Sequence, residues 1–294
     1  MTTNTRFRPP PPRSDAGDRC AFVLLHGGWH GAWCWASVTE TLVAAGHAAV
    51  APDLPGHGLA ARWPQADALR SSVADVQLDD YVARVLPLLH AVREGGARRV
   101  VLVGHSMAGI VLNAVGEREP EAADALVYLA GNLPGPGQAA GSYFALPEAA
   151  GARLGAAFTG DPSSLGAFRI DPREGTPAAL TALRDALYND AEDADFEAAR
   201  QLMTPDLPLA PMVTALPLSA ERWGRTRRHY ILCERDLAVP EALALRFVAD
   251  ADTAAPGHPV RLHRLDAGHS PFITMPGALA GLLLDIAATI PDHR

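Results

Sequence analysis

The stretch Arg98-Arg99-Val100-Val101-Leu102-Val103-Gly104-His105-Ser106-Met107-Ala108-Gly109-Ile110-Val111-Leu112 constrains this chain more than any other. It reads as an apolar, β-branched run, a tight turn, then a helical run. Small residues, Gly104 and Ala108, lie two positions either side of Ser106. That is the layout of a nucleophile elbow, a sharp strand-to-helix turn that projects a serine hydroxyl into open space. Only small side chains fit beside such a turn. The following helix aims its N-terminal amides and positive dipole end at any negative charge forming there. The usual pattern is G-x-S-x-G. Here Ala108 holds the second glycine position, with Gly109 next, and alanine is small enough to keep the reading.

An elbow of this kind needs a parallel sheet around it, and the chain supplies one. Apolar strands are expected over Cys20 to Leu25, Ala48 to Ala51, Ala125 to Ala130, Arg228 to Cys233 and Val260 to Leu265. Helical spacing separates them at Trp33 to Ala45, Leu78 to Val92 (with Pro87 as a candidate kink), Pro240 to about Asp250 and Pro276 to Ala288. Alternating strands and helices predict an α/β fold with a doubly wound, mostly parallel sheet. Between Leu133 and about Arg225 the alternation stops. Pro/Gly clusters and amphipathic pieces, clearest at Thr176 to Tyr188 and Ala194 to Met203, replace it. No convincing strand is visible there, and a stretch of that length is not a loop. The expected organisation is a disordered, polar, Pro-rich tail at 1–19, a core at 20–132 and 226–294, and an inserted helical cap at 133–225.

A serine is a poor nucleophile alone; it needs a base in reach and a group to orient that base. His269 follows the last expected strand and Asp236 the one before. Ends of strands running the same way lie on one sheet edge, so Ser106, Asp236 and His269 can converge. Asp266 is the rival acid, but it lies only three residues before His269. The place after Ala130 holds Asn132, which carries no charge. The first strand ends in His26-Gly27-Gly28-Trp29-His30-Gly31. A glycine-rich turn there suits an oxyanion hole, with the Gly28 and Met107 amides as donors. Phosphate-loop motifs do not follow it. His26 and His30 lie on a turn with no evident third ligand, so no metal is expected. His57 reads as structural.

Composition narrows the alternatives. The 294 residues are 48% hydrophobic and 20% charged, with net charge -8, which disfavours nucleic-acid or anionic-membrane partners. All 25 basic residues are arginine, so no lysine can form a Schiff base or act as an acid. Cys20, Cys34 and Cys233 form neither a disulfide framework nor a CxxC motif. No cofactor is expected. The arginine-bearing amino terminus lacks an apolar signal region and no run is long enough to span a membrane, so a cytoplasmic location is expected.

These segments resemble the α/β-hydrolase family of plant methylesterases and hydroxynitrile lyases and their bacterial esterase relatives. The resemblance is carried by Phe22 to Trp35, Val103 to Gly109, Leu187-Tyr188-Asn189-Asp190, Cys233 to Pro240 and Ala267 to Pro271. It implies a serine hydrolase of small carboxylic esters, methyl esters first, using Ser106, His269 and Asp236. It also implies a homodimer and a substrate site at Gly27, Trp29, Tyr188 and Leu237. The lyases of this family carry a lysine after the catalytic histidine and a threonine after the first-loop histidine. Here those places hold Ser270 and Gly27. Epoxide hydrolases and dehalogenases need an aspartate at the elbow. Two other readings stay open: a C–C lyase, decarboxylase or cyclase on the same triad, and a ligand-binding receptor on a hydrolase fold.

Overall fold

The computed structural model describes residues 20–63 and 69–291. The tail expected at 1–19 lies outside them. Six strands form the central sheet: β1 (Cys20–Leu25), β2 (Ala48–Val50), β3 (Arg99–His105), β4 (Ala125–Leu129), β8 (Arg227–Cys233) and β9 (Arg261–Leu265). Their order is β2-β1-β3-β4-β8-β9, and every neighbouring pair is parallel. The chain leaves β1 for one side, through β2, and returns to the other through β3. The sheet therefore reverses direction between β1 and β3, the place where open α/β sheets form crevices at their strand ends. Register brings Leu25 opposite Gly104 and His105 opposite Leu129, so the loops after β1, β3 and β4 leave from one edge.

The central strands β1, β3 and β4 are buried on both faces, whereas the edge strands β2 and β9 are half-buried to exposed, and the buried residues divide by the two-residue strand period. Val23, Leu25, Val100, Leu102, Leu126 and Tyr128 face one layer. That layer contains α2 (Leu78–Glu94), α3 (Gly109–Arg118) and α6 (Glu241–Ala254). Phe22, Leu24, Val101, Val103, Val127 and Leu129 face the other, made by α1 (Ala36–Ala44) and α7 (Pro276–Ala288). The helix expected from Trp33 opens instead as a 3₁₀ turn, Ala32–Trp35, before α1. Helix α2 starts at a capping box in which Gln77 and Asp80 satisfy each other's backbone, and it continues through Pro87 to Glu94.

Between β4 and β8 the sequence reading needs correction. Helices α4 (Pro177–Leu187) and α5 (Asp193–Leu202) lie where amphipathic spacing put them, with the Thr176 hydroxyl capping α4. But this segment is not wholly helical. Strands β5 (Phe158–Thr159), β6 (Ala167–Ile170) and β7 (Asp206–Pro208) form a separate three-stranded antiparallel sheet. Strands of two to four residues are too short to show alternation, and Pro208 argues against a strand except at an edge, where β7 lies. Asp206 on β7 takes a bidentate pair from Arg169 on β6, at 2.7 and 2.8 Å, and a 2.5 Å bond from the Ser71 hydroxyl. Among the described residues, no helix is long and apolar enough to cross a membrane.

Candidate active site

Three non-glycine residues among those described have left-handed backbone: Trp29 (φ 62°), Ser106 (φ 52°) and Ala130 (φ 45°). Each lies just beyond the carboxyl end of one of three adjacent strands, β1, β3 and β4. Such conformations cost on the order of 1–3 kcal/mol each and cluster where a fold must aim a side chain. At Ser106 the strain comes from the elbow itself. The strand ends at His105, a 3₁₀ turn covers Ser106–Ala108, and α3 begins at Gly109. The Ser106 carbonyl accepts the Asn132 N–H at 2.9 Å, tying the elbow to the loop after β4.

The crowding around the elbow explains the departure from G-x-S-x-G. A Cβ at Gly104 would come within 2.5 Å of Leu112 Cδ1 and 2.9 Å of the Ala108 carbonyl oxygen. Ala108 has ordinary right-handed backbone (φ -64°) and a buried methyl, so it needs no glycine. The tight approach falls one residue later. A Cβ at Gly109 would be 2.2 Å from the Asn132 carbonyl oxygen.

His269 and Asp236 meet. The imidazole Nδ1–H donates to Asp236 Oδ2 at 2.7 Å, with both side chains 1% exposed. The other oxygen, Oδ1, accepts the Ala238 and Val239 backbone N–H groups at 2.7 and 2.9 Å. The carboxylate is thus held by three donors, on the loop between β8 and α6. Asp266, the rival acid, points elsewhere: it is 78% exposed and pairs with Arg235 at 2.8 Å.

His105 links the elbow to His269. Its Nε2–H donates to the His269 carbonyl at 2.9 Å, and the two rings lie 4.6 Å apart. Burial, then the neighbouring His269 and His30, push its pKa well down, so the ring is neutral. The Ser106 hydroxyl, on a half-buried residue, is not hydrogen-bonded to His269. The β1 loop covers this corner. A Cβ at Gly27 would lie 2.6 Å from His105 Nδ1 and 2.9 Å from Ser106 Cβ, so only glycine lets the loop approach. At Gly28 a Cβ would touch Leu207 of β7 at 3.0 Å. Met107 is buried at the start of the turn, where amides lack intrahelical partners.

The other loop histidines are fastened. His26 donates from Nδ1 to the Gly27 carbonyl (2.8 Å) and accepts the Leu54 N–H at Nε2 (3.0 Å). His30 donates from Nδ1 to the Gly28 carbonyl (2.8 Å) and accepts the Tyr188 hydroxyl at Nε2 (2.7 Å). Burial lowers their pKa values to about 4 and about 3. Both rings spend both nitrogens on the loop's shape, leaving no lone pair for a metal. His57 is buried between Tyr81 and Thr204. The Trp29 indole donates to the Phe168 carbonyl on β6, and its own carbonyl accepts from Thr204. Tyr188 is fully buried, with its hydroxyl committed to His30. Leu237 is half-buried, and its carbonyl accepts the Arg153 N–H. Sequence reasoning missed two contributors. His105 precedes the nucleophile position unremarked, and Asn189-Asp190, noted only as part of a resemblance, reach both loops that carry Asp236 and His269. Short polar pairs after a helix end carry no periodic signal.

Comparisons with known proteins agree with this architecture. A family model described as the alpha/beta hydrolase family matches residues 22–282. Methylesterase 10 of Arabidopsis thaliana is 30% identical over 274 residues, 91% of this chain and 91% of that protein. A probable esterase of Oryza sativa, PIR7A, is 32% identical over 275 residues, 91% and 96% of the two chains. The crystal structure of polyneuridine aldehyde esterase superposes with a TM-score of 0.72 at 25% identity, covering 92% and 99%. By sequence match and by fold, the chain belongs to the alpha/beta hydrolase family.

Proposed function

We propose that this chain is a serine hydrolase of small carboxylic esters, with methyl esters the first substrates to try. One observation carries the reading: a serine held in left-handed backbone at a strand end, whose chain neighbour His105 bonds the carbonyl of a histidine that itself binds a buried carboxylate through Nδ1. The names of the relatives, a methylesterase and two esterases, support the substrate class.

In this reading Ser106 Oγ attacks the ester carbonyl while His269 Nε2 takes its proton. The Asp236 bond to Nδ1 leaves Nε2 as the ring's acceptor and stabilises the imidazolium that forms. The Gly28 and Met107 amides hold the oxyanion; one such donor is typically worth about 3 kcal/mol in barrier height. His269 returns the proton to the departing alcohol, and a water activated by the same ring releases the acid. The serine–histidine bond absent here is of the kind that commonly tightens only around substrate. Residues 133–225 would cap the site, with Gly27, Trp29, Tyr188 and Leu237 shaping its walls.

A mass-spectrometric screen of methyl, aryl and lactone esters tests this. At least one is cleaved to acid and alcohol by the protein, and the Ser106→Ala variant loses about 10³-fold or more. Substrate turnover undiminished in that variant would refute the reading.

A further inference from the structure

Asn189 and Asp190, the second and third residues after α4, touch both loops that carry the acid and the base. The Asn189 side-chain amide donates to the Arg235 carbonyl at 2.8 Å, one residue before Asp236. Asp190 Oδ2 accepts the Gly268 N–H at 2.7 Å, one residue before His269, and the Thr274 hydroxyl at 3.2 Å. The Arg235 guanidinium lies 3.6 Å from the same oxygen and donates to the Asp266 carbonyl at 2.7 Å. The approach is close: a Cβ at Gly268 would come within 2.2 Å of Asn189 Oδ1 and 2.5 Å of Asp190 Oδ1.

This is a poor arrangement for stability alone. The Asp190 side chain is 4% exposed, and its Oδ1 is buried without a hydrogen-bond partner. Burying a carboxylate so incompletely satisfied costs more than an apolar residue would. What it holds is the relative position of two backbone segments, each adjacent in the chain to one member of the 2.7 Å Asp236–His269 pair. Alignment of that pair is the quantity a small shift destroys; about 1 Å of misplacement can cost roughly 100-fold in rate.

We propose that Asn189 and Asp190 are positioning residues that couple the seating of the 133–225 segment to the alignment of Asp236 and His269. The inference rests on the serine-hydrolase reading above and deepens it. When the segment is seated, the dipeptide clamps both loops; when it lifts, the clamp opens and the imidazole loses its set.

The test compares wild type with Asp190→Ala, Asp190→Asn and Asn189→Ala, and with Asp161→Ala, which removes a helix cap elsewhere in the segment. Two readouts are taken: kcat and KM on the best ester, and the strongly deshielded proton NMR signal of His269 Nδ1–H, assigned by its loss in Asp236→Ala. Asp190→Ala should lower kcat by about 10- to 100-fold with KM within about threefold, and broaden the proton signal. Asp190→Asn keeps an acceptor for Gly268 and should recover most of both. Asn189→Ala, altering an exposed side chain, should show the same effects more weakly and serves if Asp190→Ala does not fold. Wild-type kcat in the clamp variants, an unchanged signal, or an equal loss in Asp161→Ala would overturn the inference. If wild type cleaves no ester yet the signal broadens in Asp190→Ala, the ester reading fails while the coupling stands.

Discussion

Asp236 grips its own loop with one oxygen and the ring of His269 with the other. Oδ1 is fixed by the Ala238 and Val239 amides, so the side chain cannot rotate to offer His269 anything but Oδ2. This makes Asp236→Asn an informative change. The asparagine oxygen will stay on the two backbone amides, and its NH₂ will face His269 Nδ1. That forces the proton to Nε2, the nitrogen proposed to accept from Ser106. The protein should fold normally by circular dichroism, and kcat should fall by about 10⁴-fold.

The glycines around Ser106 should separate by geometry. At Gly27 an added methyl meets the His105 ring and Ser106 Cβ, and His105 is held by its bond to His269. Gly27→Ala should therefore cost about 1–3 kcal/mol in chemical denaturation. It should also lower kcat by roughly tenfold or more by displacing the serine. Ala108→Gly restores the usual motif yet relieves nothing, since Ala108 has ordinary backbone. It should cost about 0.5–1 kcal/mol from added chain entropy, with activity unchanged.

Stability should fall in mild acid. His26 and His30 are held neutral by burial, with pKa values near 4 and 3, against 6.5 in the unfolded chain. His57 and His105 are pushed down for the same first reason. Between those values the unfolded chain binds more protons than the folded one. Stability is therefore complete above about pH 6.5 and is lost as pH falls toward 4. Each histidine adds a slope approaching about 1.4 kcal/mol per pH unit. Urea denaturation across that range measures it. A flat profile would mean these rings are not desolvated as described.

Much of this architecture was legible beforehand because burial on both faces leaves a plain signature. The apolar runs Cys20 to Leu25 and Ala125 to Ala130 match β1 and β4 within a residue of their ends, and the run leading into the elbow is β3. The meeting of Asp236 with His269 followed from parallel strands sharing one edge. Strands β5 to β7 were not legible, because two to four residues cannot display a period. Nor was the commitment of Tyr188 to His30, or the reach of Asn189 and Asp190. Those depend on how a segment with no repeating pattern folds back on the sheet edge. The small size of Ala108 is readable from the sequence, but not that the close approach falls on Gly109, pressed against Asn132.

The proposed function requires Ser106 to be a nucleophile activated by His269. Labelling with a fluorophosphonate, followed by peptide mass spectrometry, addresses it without knowing the natural ester. One phosphonyl adduct is expected, on Ser106, forming about 10³-fold or more faster in wild type than in His269→Ala. A label carried by another residue, or equal rates in the two proteins, would contradict it.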